Sequence, residues 1–450
     1  MPRTTDTIAA LGTPGGTGAL AIVRVSGPEA GALAGAIFGE TPLPRVVNHG
    51  DYRDKAGALV DDVLFTVFAG PNSYTGEDAL EISCHGNPFI VQKMLEDLFA
   101  RGCRPAEAGE FTQRAFLNGR MDLSQAEAVM DLIHARSERA LAAANRQLRG
   151  ALGKHLEGII GPLLGAAARV EAYIDFPEED LPEEDRSELQ GLLESILRDT
   201  GRLLATQHYG ELLRDGIKTV ILGEPNAGKS SLLNRLVGSD RAIVSPEPGT
   251  TRDFIEERIV VGPHCLRLTD TAGLNPAASG LEKLGIAKTL ERAAEADLFL
   301  LVLDATRPPP TLSEDLARRL TPRNTVIALN KTDLVAGAPQ ARTPEGFAAV
   351  AVSALRGTGL EALTDAIARL ADGLRPEGSE DLVAINARHA HALRRATECL
   401  AAAAKTGPAA EPELLASDLR GALDALGEIS GKIDHERVLD ALFAAFCIGK

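Results

Sequence analysis

The 450-residue sequence predicts a multidomain α/β and α protein, in which an N-terminal α/β domain precedes a helical domain interrupted by a second α/β module. Four observations carry this prediction. Short β-rich runs alternate with longer segments up to about residue 118, and an alanine-rich helical pattern fills most of residues 119–214. Strands alternate with helix-length segments over residues 215–375, and the helical pattern returns over residues 376–450. We therefore expect one helical domain that is interrupted in sequence but continuous in space.

The composition excludes several classes of protein. Lys and Arg number 47 against 63 Asp and Glu, which gives a formal net charge of −16. This charge argues against a broad basic face that coats nucleic acid, but it leaves room for a local basic patch. Aromatic residues make up 4% and Trp is absent, which disfavours base stacking as the main mode of recognition.

The cysteines and the apolar runs indicate a cytoplasmic protein. The five cysteines contain no CxxC pair, which is typical of free thiols in a reducing compartment. His389 and His391 are two residues apart, the wrong spacing for one helical face, so a structural zinc site is not expected. The N-terminal residues lack the continuous apolar segment of a signal peptide. The longest strongly apolar run, Leu298–Leu303, is far too short to span a bilayer, so we expect no membrane association.

The N-terminal domain, residues 1–118, combines strands, turns and longer segments. Leu20–Val25 is a short β-rich run that ends at a Ser-Gly-Pro turn, and a second run covers Asp62–Ala69. The segment Pro88–Phe99 is longer and separates such runs. Alternation of this kind predicts a small α/β or α+β domain.

The helical domain is expected to begin near Ser124, where Ser124-x-x-Glu127 has the pattern of a capping box. Alanine-rich helical sequence continues to about Tyr173 and is interrupted by Asp175-Phe176-Pro177. The acidic residues after this break fit a solvated turn between helices better than a metal site. Helical sequence then resumes and runs to about Arg214.

Residues 215–375 carry four short apolar runs separated by helix-length segments, which predicts a parallel sheet flanked by helices. These runs are Lys218–Leu222, Leu266–Thr269, Leu298–Asp304 and Thr325–Leu329.

A glycine-rich loop follows the first of these strands. Residues 223–230 fit the pattern GxxxxGK[ST] and precede a helix-forming segment. Glycines allow backbone N–H groups to converge on phosphate oxygens at a helix N-terminus. We expect Lys229 to reach the β- and γ-phosphates of a nucleotide and Ser230 to bind Mg²⁺.

Four further motifs identify the nucleotide as GTP. Asp270-Thr271-Ala272-Gly273 places a carboxylate near the metal and a flexible glycine near the γ-phosphate, and Thr250-Thr251 supplies a threonine for the Mg²⁺ shell. The aspartate of Asn330-Lys331-Thr332-Asp333 can pair with N1–H and the 2-amino group of guanine, which adenine cannot match. Ser353-Ala354-Leu355 can offer a backbone N–H to guanine O6. The five motifs in this order predict a Ras-like P-loop GTPase domain.

The residue after the DTAG motif is Leu274, where Ras-like enzymes carry a glutamine that orients the attacking water. An aliphatic side chain cannot orient water, so another group must do so. Arg252 has two open roles, as an arginine finger or as a partner in a surface ion pair.

Along essentially its whole length the chain resembles the MnmE (TrmE) family of bacterial tRNA modification GTPases. The segments that carry the resemblance are GPNSYTGED at residues 70–78, PAEAGEFTQRAFLNGRMDLSQAEA at residues 105–128, DFPEE at residues 175–179, GTTRD at residues 249–253 and the terminal FCIGK at residues 446–450. The terminal motif together with an inserted GTPase domain is highly specific.

The resemblance implies a tRNA modification activity. Members of the family act with the FAD-dependent partner MnmG (GidA), as homodimers within a heterotetramer, to add a carboxymethylaminomethyl or aminomethyl group at C5 of wobble uridine 34 in certain tRNAs. A tetrahydrofolate derivative, 5-formyl- or 5,10-methylene-tetrahydrofolate, supplies the one-carbon unit. GTP hydrolysis in the family depends on K⁺ in the position of an arginine finger.

The resemblance also implies roles for single residues of the GTPase domain. K⁺ would be held by Asn226 with groups of Ser245, Glu247 and Thr250, while Glu282 would orient the attacking water. Lys229 and Thr251 join Glu282 as expected catalytic residues, and Ser230 and Thr251 as the Mg²⁺ ligands. The full set expected to bind GTP is Asn226, Ala227, Gly228, Lys229, Ser230, Ser231, Ser245, Pro246, Glu247, Pro248, Gly249, Thr250, Thr251, Asp270, Thr271, Ala272, Gly273, Asn330, Lys331, Asp333, Ser353, Ala354 and Leu355.

In the N-terminal tetrahydrofolate-binding and dimerisation domain, the resemblance maps the folate site onto Arg24, Glu81, Arg120 and Lys450. A carboxylate can pair with the 2-amino and N3–H edge of a pterin, and cations suit the glutamate tail or the ring carbonyl. Cys447 has two open roles, as a small buried hydrophobe or as a group with a chemical or folate-adjacent role.

Two other functions compete with the modification enzyme. A regulatory GTP switch in ribosome assembly would carry a basic RNA-binding appendage such as a KH domain, and no basic module with a GxxG centre follows residue 376. A folate-binding scaffold whose GTPase domain only controls partner docking conflicts in part with the intact hydrolysis motifs. We expect the first of the three functions, a GTPase that drives wobble-uridine modification.

Overall fold

The computed structural model describes residues 6–39, 42–175, 183–238, 256–270, 292–310, 312, 314–335, 343–376, 383–406, 412–431, 442–443 and 446–449. The chain divides into two compact units. Unit 1 comprises Met1–Met130, Leu152–Glu157 and Leu426–Lys450, and unit 2 comprises Asp131–Ala151 and Gly158–Ala425.

Unit 1 contains a six-stranded mixed sheet in the order β3-β4-β5-β2-β1-β6. Its strands are β1 Ile8–Leu11, β2 Leu20–Ser26, β3 Asn48–Arg53, β4 Leu59–Phe68, β5 Ala79–His85 and β6 Arg104–Pro105. Neighbouring strands are antiparallel except for β1 and β6, which are parallel. The two strands predicted from β-rich runs are confirmed as β2 and β4.

Two helices cover one face of this sheet, α1 (Ala30–Phe38) and α2 (Pro88–Ala100). Period-2 alternation along β2 and β5 puts one set of side chains into the core and leaves the other facing away from it. Helix α2 begins with Asn87 as its N-cap, whose side chain accepts a hydrogen bond from Phe89 N, and Pro88 occupies the first turn, where proline is favoured.

Unit 1 also contains α3 (Glu110–Leu117) and α4 (Leu123–His134), of which α4 runs beyond the unit boundary at Met130. The predicted capping box of α4 is wrong in its register. Asp122 Oδ1 accepts hydrogen bonds from Gln125 N at 2.8 Å and from the Ser124 hydroxyl at 2.7 Å, and Gln125 Oε1 accepts from Asp122 N at 2.9 Å. The reciprocal pair is therefore Asp122 with Gln125, because the carboxylate of Asp122 precedes Ser124 and takes the capping position.

Unit 2 contains the remaining long helices, some of which extend past its boundaries. They are α5 Glu138–Leu148, α6 Ala151–Asp175, α7 Glu183–Ala205, α8 Gln207–Asp215, α12 Ala387–Thr406 and α13 Pro412–Ser430. The predicted continuous helical stretch to Tyr173 is in fact α4, α5 and α6, and Gly150 separates the last two in the left-handed conformation with φ +79°. Helix α6 ends at Asp175, as predicted, and residues 176–182 lie outside the described residues.

Helices from either side of the inserted module contact each other within unit 2. Arg420 Nε of α13 donates to Glu171 Oε1 of α6 at 2.7 Å, and the Thr206 hydroxyl, at the N-cap of α8, donates to Val383 O at 3.0 Å. Helices α7 and α12 also pack together.

The inserted module is a six-stranded sheet in the order β12-β11-β10-β7-β9-β8. Its strands are β7 Ile217–Leu222, β8 Glu256–Val261, β9 His264–Asp270, β10 Leu298–Asp304, β11 Thr325–Asn330 and β12 Ala348–Ala351. The helices of the module whose two ends both lie within the described residues are α9 Lys229–Val237, α10 Glu314–Arg319 and α11 Leu360–Asp372. All pairs are parallel except β8 with β9, so the predicted parallel sheet is confirmed with one antiparallel edge strand.

Buried clusters lie on both faces of this sheet, as expected for a sheet covered by helices on both sides. None of the helices described in the structure is long and apolar enough to cross a membrane.

Candidate functional site

The loop between β7 and α9 has the backbone geometry of a phosphate cradle. Gly223 has φ +148°, and a Cβ there would lie 2.3 Å from the carbonyl oxygen of Val302 on the neighbouring strand. Gly228 has φ +94° and Asn226 has φ +65°, so the chain turns twice through the left-handed region before the helix begins. The first N–H groups of α9 are thereby directed into the loop, where an anion can bind them.

Lys229 is the first residue of α9 and holds its ammonium group over this loop. Its Nζ donates to Gly223 O at 2.7 Å and to Glu224 O at 2.8 Å, and the residue is 7% exposed. Ser230, the predicted Mg²⁺ ligand, follows on the exposed first turn, as does Ser231. The ammonium group of Lys229 and the hydroxyl of Ser230 therefore both lie at the start of the helix that follows the loop.

Asn330 connects this loop to the motifs predicted to bind the base. Its side-chain nitrogen donates to Ala227 O at 2.9 Å, and its side-chain oxygen accepts from Ala354 N at 2.9 Å. A Cβ on Gly228 would lie 2.2 Å from the same Asn330 nitrogen, so glycine is needed there for close approach. Asn330 is 2% exposed, and one buried amide thus positions the phosphate loop, the end of β11 and the loop after β12.

Asp333 lies on the short 3-10 turn Thr332–Leu334 that follows β11. The Ser353 hydroxyl donates to Asp333 Oδ1 at 2.6 Å, which orients the carboxylate. Leu355, also in the predicted base-binding segment, is 77% exposed. The predicted base-binding residues of the two motifs are therefore next to each other in the structure.

Lys331 adopts φ +65° and donates through Nζ to Asp304 Oδ2 at 2.7 Å, at the end of the adjacent strand β10. Burial by itself would raise the pKa of Asp304, but hydrogen bonds from Lys331 and Thr306 outweigh it and lower that pKa to about 2. Asp304 is therefore ionised at neutral pH, and its carboxylate holds the ammonium group of Lys331 in an ion pair.

Several predicted residues of the nucleotide site lie outside the described residues. They are Ser245, Pro246, Glu247, Pro248, Gly249, Thr250, Thr251, Thr271, Ala272, Gly273 and Glu282. The backbone of Asp270 is described at the end of β9, paired in register with Ile221 of β7, which precedes the phosphate loop.

A second candidate site lies in unit 1, on the sheet. Arg24 of β2 and Glu81 of β5 are directly opposite each other in register, and Arg24 Nε donates to Glu81 Oε1 at 2.9 Å. They line a cavity of about 220 Å³ whose other lining residues are Val25, Phe68, Tyr74, Thr75, Ala79 and Phe111. The cavity combines apolar walls with one cation and one anion, as small-molecule sites commonly do.

The C-terminal segment is predicted to contribute to this site, and the structure describes it as far as residue 449. Arg24 Nη1 donates to Gly449 O at 3.4 Å, and Ile448 pairs with Ala108 in an antiparallel bridge. Cys447 is exposed, and Lys450 lies outside the described residues. Arg120 is exposed and lies next to Gly76, on which a Cβ would be 3.2 Å from the Arg120 Cγ.

Comparison with known proteins matches two family models to the chain, the GTP-binding protein TrmE N-terminus over residues 7–120 and the MnmE helical domain over residues 123–447. A tRNA modification GTPase MnmE from Opitutus terrae is 61% identical over 454 residues, with 100% of both chains covered. The chain belongs to the MnmE family. A tRNA modification GTPase MnmE from Chlorobium chlorochromatii is 41% identical over 466 residues, covering 99% of this chain and 98% of the relative.

Among solved structures, the G domain of the T. maritima FeoB iron transporter is 26% identical and covers 34% of this chain and 98% of that chain, with a TM-score of 0.25. Membership of the MnmE family rests on the full-length relatives and on the family models, together with the GTPase-type sheet and phosphate loop described above.

A buried ionic cluster that the sequence motifs do not predict supports the unit 1 site of this MnmE-family chain. Arg114 is 1% exposed, and its guanidinium group donates to Asp6, Glu77 and Glu110 at 2.6–3.3 Å. Burial would raise the pKa of Glu110, but hydrogen bonds from Arg104, from a backbone N–H and from Arg114 outweigh it and lower that pKa. The i, i+4 spacing of Glu110 and Arg114 was the available signal.

This cluster fixes the segment that forms one wall of the cavity. The Ser26 hydroxyl lies 2.7 Å from the Thr75 hydroxyl and donates to Glu77 Oε2 at 2.8 Å. The Tyr74 hydroxyl lies 2.9 Å from the Thr112 hydroxyl of α3. The cavity wall is therefore held by buried polar groups of β2 and α3 rather than by local turn preferences alone.

Proposed function

We propose that this chain hydrolyses GTP and, with the FAD-dependent partner MnmG, modifies C5 of wobble uridine 34 in certain tRNAs with a one-carbon unit from a tetrahydrofolate derivative. The observation that carries the proposal is that one chain of the MnmE family holds both a base-and-phosphate site built around Asn330 and a separate cavity with a paired arginine and glutamate. A GTP switch alone has no use for the second site.

In the proposed GTPase site, Lys229 and the loop N–H groups bind and orient the phosphates, and Asp333 recognises guanine. Mg²⁺ prefers hard oxygen ligands, and Ser230 offers a hydroxyl at the exposed first turn of α9 beside the phosphates. Thr251 would be the second protein ligand. Bound there, Mg²⁺ neutralises charge that develops on the phosphate oxygens.

The proposed K⁺ site uses Asn226, whose exposed side chain lies on the loop with φ +65°, together with groups of Ser245, Glu247 and Thr250. K⁺ supplies the positive charge that an arginine finger supplies in other GTPases. Glu282 is proposed to orient the attacking water, a role that the aliphatic side chain of Leu274 cannot fill.

We expect GTP hydrolysis by the full chain to be about 10-fold or more faster in KCl than in NaCl at equal ionic strength, since K⁺ held by Asn226 would supply the positive charge of an arginine finger. Phosphate release is measured at saturating GTP, with choline chloride as the ionic-strength control. Asn226→Ala should remove most of the difference between the two salts. Equal rates in KCl and NaCl for the wild-type chain would exclude a K⁺-dependent reaction.

The unit 1 cavity fits a pterin ring. The Glu81 carboxylate can accept two hydrogen bonds from the 2-amino and N3–H edge, while Arg24 is held beside it by their mutual ion pair and can donate to a ring carbonyl. Tyr74 and Phe111 add aromatic walls. Arg120 and Lys450 are proposed to bind the glutamate tail.

We expect Glu81→Gln to weaken binding of 5-formyl-tetrahydrofolate by about 10- to 100-fold, because each hydrogen bond to a charged group contributes roughly 1.5–3 kcal/mol. The matched control is Glu29→Gln, an exposed glutamate at the N-cap of α1 that makes no capping hydrogen bond. Titration calorimetry measures both variants and the wild type. Unchanged affinity in Glu81→Gln would remove this carboxylate from the folate site.

The remaining parts of the proposal concern assembly and location. We propose a cytoplasmic homodimer formed through the N-terminal domain of residues 1–118, with the helical domain formed by residues 119–214 and 376–450 and the GTPase domain by residues 215–375. Cys447, exposed beside the contact of Arg24 with Gly449, is proposed to act near the folate rather than as a buried hydrophobe, which its exposure supports.

A further inference from the structure

Arg235, in the last turn of α9, contacts the loop after β12 that is predicted to bind the guanine base. Its Nε donates to Ala354 O at 3.1 Å, and its Nη2 donates to Leu355 O at 2.9 Å. A guanidinium group is planar and presents its donors at fixed angles. One side chain of the helix that begins at the phosphate loop therefore holds two consecutive carbonyl groups of the base-binding loop.

The charge of Arg235 is directed at these carbonyl groups and not at a carboxylate. Among the residues that the structure describes, Arg235 forms no ion pair. Arg318 of α10, by contrast, donates to Glu314 of its own helix at 2.6 Å. Hydrogen bonds from a charged donor are stronger than those between neutral groups. The side chain of Arg235 thus stabilises the loop, and no contact within α9 accounts for it.

The same loop is also held by the two residues predicted to lie nearest the base. Ala354 N donates to Asn330 Oδ1 at 2.9 Å, and the Ser353 hydroxyl donates to Asp333 Oδ1 at 2.6 Å. Arg235 adds the carbonyl groups to these contacts, so both the donors and the acceptors of the loop are fixed. A loop that is ordered before binding loses less conformational entropy when the ligand arrives.

One backbone donor of the loop is left over. Ser353 N donates to Thr358 O at 3.0 Å and Ala354 N donates to Asn330, whereas the N–H of Leu355 makes no hydrogen bond to any described residue. This N–H shares a trans peptide unit with the carbonyl of Ala354, and in such a unit the two groups point in opposite directions. By holding the carbonyl, Arg235 turns the N–H away from itself and keeps it available to a ligand.

We propose that Arg235 is a positioning residue for guanine recognition, which holds the loop so that a backbone N–H can donate to O6 of the base. The inference deepens the proposed function, because it rests on guanine binding by Asp333 and this loop. Guanine presents a carbonyl oxygen at this position, whereas adenine presents an amino group, so a fixed N–H favours guanine. Arg235 acts through the two loop carbonyls and not by contact with the nucleotide.

The test measures dissociation constants of the full chain for GDP, inosine diphosphate and 6-thioguanosine diphosphate. Inosine keeps O6 but lacks the 2-amino group, whereas 6-thioguanosine keeps both donors to Asp333 and replaces O6 by sulfur, a weak acceptor. Arg235→Ala is expected to weaken binding of GDP and of inosine diphosphate by about tenfold each, and binding of the 6-thio nucleotide by less than about threefold. Arg235→Lys keeps a charged donor and should recover part of the lost affinity.

The matched control is Arg318→Ala, which removes an exposed arginine of the same module and should leave all three dissociation constants unchanged. An equal loss of affinity for all three nucleotides in Arg235→Ala would indicate a general disturbance of α9 and overturn the inference. Wild-type affinity of Arg235→Ala for GDP would overturn the inference alone and leave the proposed function standing. Absence of GDP binding by the wild-type chain would contradict the proposed function itself.

Discussion

Replacing Lys229 by alanine is expected to lower the rate of GTP hydrolysis by about 10²–10³-fold, the loss typical of removing one preorganised group that stabilises charge in the transition state. Hydrogen bonds from Lys229 Nζ to Gly223 O and Glu224 O fix the ammonium group over the loop, and the residue is only 7% exposed. Water would fill the space left by the ammonium group, but it carries no net charge to offset that of the phosphates. The measurement is phosphate release at saturating GTP and K⁺.

The matched control for this experiment is Lys218→Ala. Lys218 lies on β7, the strand that leads into the same loop, and its half-exposed side chain makes a long ion pair of 3.8 Å with Glu295. Such an exposed pair contributes little to stability, so the variant should fold and hydrolyse GTP like the wild type. A Lys229→Ala variant that hydrolyses GTP as fast as Lys218→Ala would show that the loop does not act as a phosphate site.

Replacing Asp333 by asparagine is expected to weaken GTP binding by about 10²–10⁴-fold, because guanine offers two donors and each bond to a carboxylate contributes roughly 1.5–3 kcal/mol. The same variant should gain affinity for xanthosine triphosphate, whose C2 carbonyl accepts a hydrogen bond that the new amide can donate. Ser353, which donates to Asp333 Oδ1 at 2.6 Å, can equally donate to the amide oxygen, so the turn should be preserved.

Nucleotide dissociation constants measured with both triphosphates check this expectation. Asp315→Asn, a change of the same kind in the first turn of the exposed helix α10, serves as the control and should bind GTP normally. If Asp333→Asn retained wild-type affinity for GTP, recognition of guanine would have to come from other residues, and the geometry around Asn330 would have only a structural role.

The parts of the fold that sequence predicts well are those in which local pattern and tertiary environment agree. Leu298–Asp304 was predicted as a strand with the bounds that β10 has, because a central parallel strand is buried on both faces and reads as a continuous apolar run. The glycine positions predict a tight loop between β7 and α9, and the close approach of Gly228 to Asn330 shows why glycine is required there.

Other features depend on long-range contacts that no local pattern contains. Arg24 and Glu81 are 57 residues apart, and only the antiparallel register of β2 with β5 makes them partners. From the sequence pattern, Arg24 and Glu81 are both ordinary surface charges. Only the family resemblance assigns them to the folate site. The capping residue of α4 was misplaced because two acceptors compete there, and the structure chooses Asp122 over Ser124.

The central claim is that GTP hydrolysis by this chain drives modification of the wobble uridine. The most direct test is mass spectrometry of tRNA nucleosides from a strain that lacks the gene, carrying either the wild-type gene or the Lys229→Ala variant. The account predicts that the C5-modified uridine is lost in the deletion strain, returns with the wild-type gene and stays absent with Lys229→Ala. Modified uridine at the normal level in the deletion strain, or full recovery with Lys229→Ala, would contradict the account.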